Sequence, residues 1–95
     1  MLSKQYIKSR DVMKVTFEVD FAPDAERVEL LGEFNGWQPQ QLRKLKSGVH
    51  KIAFDLAPGA SYEYRYRIDG VWANDAAPDR YAPTRFGVTN SVVEC

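Results

Sequence analysis

The sequence predicts an all-β domain, a two-sheet β-sandwich of the immunoglobulin type. Three observations carry that expectation. Residues 14–21, 50–56 and 62–68 alternate apolar and polar side chains with a period of two, the mark of a half-buried strand. Turn signals separate such runs roughly every 8–12 residues, the spacing of small all-β domains. No window holds a helical period, and 24–27 has room for one turn at most. A small barrel of the oligonucleotide-binding kind is the main competing architecture.

Taken in order, Met1 to Asp11 is polar, with only Tyr6 and Ile7 to hold it down, and reads as an edge strand or a frayed arm. From Lys14 the pattern sends Val15, Phe17, Val19 and Phe21 inward, until Ala22-Pro23-Asp24 breaks it. Val28, Leu30 and Phe34 form the next inward set, with Gly32 on the same face where a side chain is missing. Asn35-Gly36 signals a turn, and Trp37 and Pro39 follow in a loop. Residues 38–46 show no sustained period and read as connection. His50, Ile52, Phe54 and Leu56 restart the alternation, and Pro58-Gly59 suits the centre of a type II turn.

The most informative stretch is YEYRYRIDGVWAND, from Tyr62 to Asp75. Tyr62, Tyr64, Tyr66 and Ile68 share one face; Glu63, Arg65, Arg67 and Asp69 share the other. Asp69-Gly70 predicts a two-residue hairpin turn, because a type I′ turn needs positive φ at both positions. That turn sets Ile68 against Val71 and Arg67 against Trp72. Residues directly opposite point to the same side. Ile68 and Val71 are thus expected in the core, and Trp72 on the charged face, with Asn74 opposite Arg65. Pro78 and Pro83 fall in a loop, and Ser91 to Glu94 closes the fold as a short strand. The 95 residues make a single domain, 1–95, with 12–95 as the sandwich.

Composition narrows the function. Lysine and arginine balance aspartate and glutamate, so net charge is zero. That argues against a phosphate backbone or an anionic membrane as partner. Cys95 is the only cysteine, so no internal disulfide forms and nothing points to an oxidising compartment. Neither a membrane-length apolar run nor a signal-peptide core is present, and a cytoplasmic setting is the default expectation.

Catalytic constellations are scarce. His50 is the only histidine, and its parity turns it inward as a structural residue. No His, Cys, Asp or Glu cluster has metal-ligand spacing, and no metal or other cofactor is expected. Asp69, Asp75 and Asp79 are close in sequence, but a turn residue and two loop caps describe them better than a carboxylate pair for glycoside hydrolysis. The serines lack a nucleophile's context, and Cys95 lacks a neighbouring cation in sequence. The expectation is a chain that is not an enzyme.

The binding signal is better. Trp37 and Trp72 both lie outside the apolar alternation. A Trp face suits the C–H patch of a sugar ring, and Arg65, Asn74 and Asn90 have the donors and acceptors that the surrounding hydroxyls need. Bland readings stand beside these: Trp37 caps the open end of the sandwich, Trp72 packs under the 78–83 loop, and Arg65 is a solvated strand charge.

VELLGEFNGW, the Pro58-Gly59 turn, YEYRYRIDGVWAND and FGVTNSVVE, in that order, resemble the family-48 carbohydrate-binding modules. These are also called isoamylase N-terminal or early-set domains, and the glycogen-binding domain of the AMP-activated protein kinase β subunit belongs with them. The resemblance covers about residues 14–94. It implies the immunoglobulin-like early-set sandwich. It further implies a non-catalytic module for α-1,4-glucan (glycogen, starch or maltooligosaccharide), of the kind appended to family-13 glycoside hydrolases. The implied contacts are Trp37 and Trp72 as stacking platforms, Arg65 as hydroxyl donor in place of the more familiar Lys, Phe86 as an apolar contact, and Asn90. Val88 departs from the family's Thr, with Thr89 adjacent; Asn74 and Thr89 are additional candidates. The expected partners are an α-glucan and a separate glucan-active enzyme, with no nucleic acid and no membrane. The rival is an early-set domain with a structural or protein-interaction role and no significant glycan affinity.

Overall fold

The computed structural model describes Met1–Cys95. Its strands are β1 (Leu2–Ile7), β2 (Val12–Val19), β3 (Val28–Gly32), β4 (Gln40–Gln41), β5 (Arg43–Lys44), β6 (His50–Leu56), β7 (Ser61–Ile68), β8 (Val71–Ala73), β9 (Arg80–Pro83) and β10 (Thr89–Glu94). A 3-10 turn, Glu33–Asn35, is the only helical piece. One sheet runs β1-β2-β6-β5, and the other runs β4-β3-β7-β10-β9 with β8 also paired to β7. All pairings are antiparallel. This is the all-β two-sheet sandwich that the alternating runs predict.

Strand parity builds the core. Val15, Phe17 and Val19 of β2 face Val28, Leu30, Tyr64 and Tyr66 of the other sheet, all with no exposed surface. Phe17 is the hub: its ring lies 5.3 Å from Phe34, 6.2 Å from Phe54 and 5.1 Å from Tyr64, centroid to centroid. The gap at Gly32 now has an occupant. A Cβ there would stand 2.7 Å from Phe34 Cζ and 2.9 Å from Tyr64 Cβ, so glycine lets the Phe34 ring close over the strand. Phe34 itself sits in the 3-10 turn rather than on a strand, and packs half-buried against the core.

The tyrosines end somewhere other than their pattern alone suggests. Strand parity turns the rings inward, and there their hydroxyls meet a buried carboxylate. Asp75, 1 % exposed, accepts from Tyr64 Oη at 2.7 Å and from Tyr66 Oη at 3.4 Å. Its other oxygen accepts from the Met1 ammonium at 2.7 Å and from Ala77 N at 3.1 Å. Burial is the main force raising both phenol pKa values; Asp75 raises them further, after Tyr66 in the case of Tyr64. Both tyrosines therefore remain donors. Asp75 is more than the loop cap expected of it. Asp79 accepts from Glu94 N and Lys4 Nζ, and Asp69 from the backbone of Glu26 and Arg27.

Parity fails where strands stop. Phe21 is 41 % exposed, because β2 ends at Val19 and the chain has begun to turn. Val71 does pair with Ile68, yet it is 67 % exposed, because the hairpin tip runs past the covered part of the sheet. Two expected connections contain strands. β4 and β5 lie within 38–46 and cross from one sheet to the other around buried Leu42, whose N–H donates to Val28 O at 2.8 Å. Pro83 closes β9, an edge strand, where its missing N–H is tolerated.

Candidate functional site

The outer face of the six-stranded sheet is set by β7. Tyr62, Tyr64 and Tyr66 turn inward, so Glu63, Arg65 and Arg67 turn out. The Asp69-Gly70 turn has φ of 48° and 82°, as a type I′ turn requires. It places Trp72 directly across from Arg67, while Glu29 of β3 lies across from Arg67 on the other side. Glu29, Arg67 and Trp72 thus form one row across the sheet. The next row is Leu31 and Arg65; Asn90, one step beyond the Ser91–Tyr64 pair, continues it.

Trp72 is 46 % exposed. The Arg65 guanidinium carbon lies 5.3 Å from its ring centroid and that of Arg67 5.7 Å, both within cation–π range. The two arginines differ in what faces them. Arg67 Nε donates to Glu29 at 3.0 Å, whereas Arg65 Nε is buried with no acceptor, because Leu31 is the residue opposite. Arg65 is therefore held against Trp72 by the ring and not by an acid.

Trp37 arises differently. Gly36 and Trp37 are both left-handed, at φ 66° and 60°, and Trp37 N donates to Gly32 O at 2.8 Å. An aromatic residue in that region is strained by on the order of 1–3 kcal/mol, which is a price for aiming a side chain. The indole is 37 % exposed. Its turn is tied to the start of β7 by Glu33, which accepts from Glu63 N at 2.7 Å. The Trp37 backbone is therefore anchored at the Glu63–Tyr64 end of β7, while Trp72 lies across from Arg67 toward the other end.

Of the other candidates, Asn90 Nδ2 donates to Glu63 Oε1 at 3.0 Å, which leaves its carbonyl oxygen as an acceptor. Phe86 is 79 % exposed on the loop between β9 and β10, with the Arg85 guanidinium 5.1 Å from its ring. Asn74 does not reach the position opposite Arg65. β8 stops at Ala73, and the Asn74 amide bonds Thr89 O at 3.0 Å and accepts from Ser91 Oγ at 2.9 Å. It joins the end of β8 to the start of β10. Arg65, Trp72 and Asn90 thus share one face, Trp37 stands at its end, and Phe86 projects from a separate loop. Glu29, Glu63 and Arg67 were not singled out from the sequence, although parity had already put Glu63 and Arg67 on this face.

The family described as the glycogen recognition site of AMP-activated protein kinase matches residues 15–95. The chain belongs to that family. Among relatives of this glycogen-recognition domain, a 1,4-alpha-glucan branching enzyme GlgB from Cupriavidus pinatubonensis is 39 % identical over 87 residues, 86 % of this chain and 11 % of the enzyme. Protein FLOURY ENDOSPERM 6, chloroplastic, from Oryza sativa subsp. japonica is 34 % identical over 61 residues, 63 % of this chain and 11 % of its own length. Apo pullulanase from Paenibacillus barengoltzii shares the fold, with a TM-score of 0.57 over 99 % of this chain and 14 % of that one, at 17 % identity. The chain spans about a tenth of the length of the curated relatives it matches, so what it shares with each is one small domain.

Proposed function

We propose that this domain is a non-catalytic module that binds α-1,4-glucan, with Trp37, Arg65, Trp72, Phe86 and Asn90 as the contact residues and a glucan-active enzyme as the protein it serves. One observation carries the reading. Trp72 stands 46 % exposed on a charged sheet face, with two guanidinium groups against its ring and neither Trp buried. An exposed indole fixed by its neighbours is a preorganised platform, and an ordered platform loses little entropy when a ligand stacks on it.

Stacking supplies most of the affinity. Sugar hydroxyls exchange water partners for protein partners at little net gain, so Arg65 and the Asn90 carbonyl act mainly on orientation. Two Trp residues carried by separate elements suit an oligosaccharide better than a single ring. The ligand is neutral, so salt has little effect.

Isothermal titration with maltoheptaose, alongside thermal melts, tests this. Trp72→Ala weakens binding by about tenfold or more, on the scale of 1.4 kcal/mol per decade, and keeps the fold. Arg65→Ala costs less. If the wild-type chain gives no heat with maltoheptaose and no retardation in a glycogen gel, the proposal fails, and a protein-interaction role takes its place.

A further inference from the structure

Beside Trp72 the outer face drops into an open trough of about 550 Å³, lined by Glu26, Arg27, Glu29, Arg67, Asp69 and Gly70. Arg67 belongs to both features. Its guanidinium lies 5.7 Å from the Trp72 ring, and its Nε donates to Glu29. No side chain in the trough is apolar.

The fixed groups can be separated from the free ones. Glu29 is 6 % exposed and held between Arg67 at 3.0 Å and Arg27 at 3.5 Å. Asp69 is committed to the backbone N–H groups of Glu26 and Arg27. What remains is the rest of the Arg27 guanidinium, on a side chain 63 % exposed, the terminal nitrogens of Arg67 and the exposed Glu26 carboxylate. Donors and an acceptor stand side by side on a rigid base.

The charges decide the ligand class. Three carboxylates oppose a phosphate or other anion, and two guanidinium groups oppose a cation. A neutral polyol has no such conflict, because each hydroxyl both donates and accepts. We propose that the trough is a further sugar subsite, in which an α-glucan chain stacked on Trp72 continues across Arg67 toward the Asp69-Gly70 turn and bonds Arg27 and Glu26. This rests on Trp72 being the glucan platform.

The test compares short and long ligands. Wild type, Arg27→Ala and Glu26→Ala are titrated with maltotriose and with maltoheptaose, with thermal melts to confirm the fold. Wild type binds maltoheptaose more tightly than maltotriose. Arg27→Ala keeps the maltotriose affinity and weakens maltoheptaose by about three- to tenfold, the effect of one or two hydrogen bonds of modest net worth. Glu26→Ala shifts the same way. Equal loss on both ligands puts these residues in the Trp72 contact and overturns the subsite. Wild-type binding with both variants unchanged refutes the subsite alone. No binding by wild type refutes the Trp72 reading, and the subsite falls with it.

Discussion

Asp75→Ala probes the polar end of the core. The carboxylate accepts from Tyr64 at 2.7 Å, from Tyr66 at 3.4 Å and from Ala77 N at 3.1 Å, inside a residue only 1 % exposed. Alanine leaves both phenol hydroxyls without a partner, on tyrosines that have no exposed surface. An orphaned buried donor costs about 1–3 kcal/mol. The Tyr64 bond is short and takes the middle of that range, about 2 kcal/mol. The Tyr66 contact is long for a hydroxyl donor and takes the floor, about 1 kcal/mol. Losing the bond to Ala77 adds about 1 kcal/mol, the scale of a side-chain cap. The Met1 ammonium keeps its bond to Glu18 O at 2.8 Å and loses one partner of several, at small cost. The expected loss is about 4 kcal/mol, or a fall in Tm of about 16–30 °C for a domain of this size. Urea unfolding followed by circular dichroism measures it. Tyr64→Phe is the control. In the wild-type background it costs about 1 kcal/mol, but after Asp75→Ala it removes an orphaned hydroxyl and regains about 2 kcal/mol. A loss below about 1 kcal/mol for Asp75→Ala, or the same cost for Tyr64→Phe in both backgrounds, refutes this account of Asp75.

Gly32→Ala drives a methyl group into Phe34 and Tyr64 and lowers stability by about 1–3 kcal/mol, the cost of overpacking; an unchanged urea midpoint would show that Phe34 moves aside freely. His50 is buried, and burial, followed by the charge of Lys44, lowers its pKa. Its contribution is therefore complete above the unfolded value of about 6.5 and is lost as pH falls from there through the lowered value of the folded state. His50→Leu flattens that slope in urea melts between about pH 5 and 7, and an unaltered slope would count against it. At the alkaline end, Tyr64 and Tyr66 have raised pKa values, so stability holds up to about pH 10 and falls above it. Absorbance at the phenolate band should show these two ionising only as the fold is lost.

The sandwich was legible because its main strands bury one face each, and a period of two survives in the sequence wherever that is so. The turn at Asp69-Gly70 was legible for a stronger reason: its residues admit few other conformations. That one turn fixed the pairing of Trp72 with Arg67 before any tertiary contact has to be known. What stayed hidden lies between strands. β4 and β5 are two residues each, too short to show a period. The network at Asp75 joins residues 1, 64, 66, 75 and 91 through hydrogen bonds that no local pattern encodes. Asn74 looked like a face residue because the strand was extrapolated one step too far. The ion pair of Arg67 and Glu29 depends on the register between β3 and β7, strands that three others separate in the chain and that no single tight turn joins.

The strand that crosses between the sheets has a consequence for how these molecules meet one another. An open sheet edge offers unpaired N–H and C=O groups to any neighbouring strand. Here β4 ends the β3 side of one sheet and β5 the β6 side of the other, and both are two-residue pieces carrying Gln, Arg and Lys. The far edges are β1, with Lys4 and Gln5, and β9, which ends on Pro83. These four borders are short or polar, one carries a residue that cannot donate, and the remaining free edge, β8, is only three residues long. Such borders resist edge-to-edge pairing, so copies can crowd together without fusing into a common sheet.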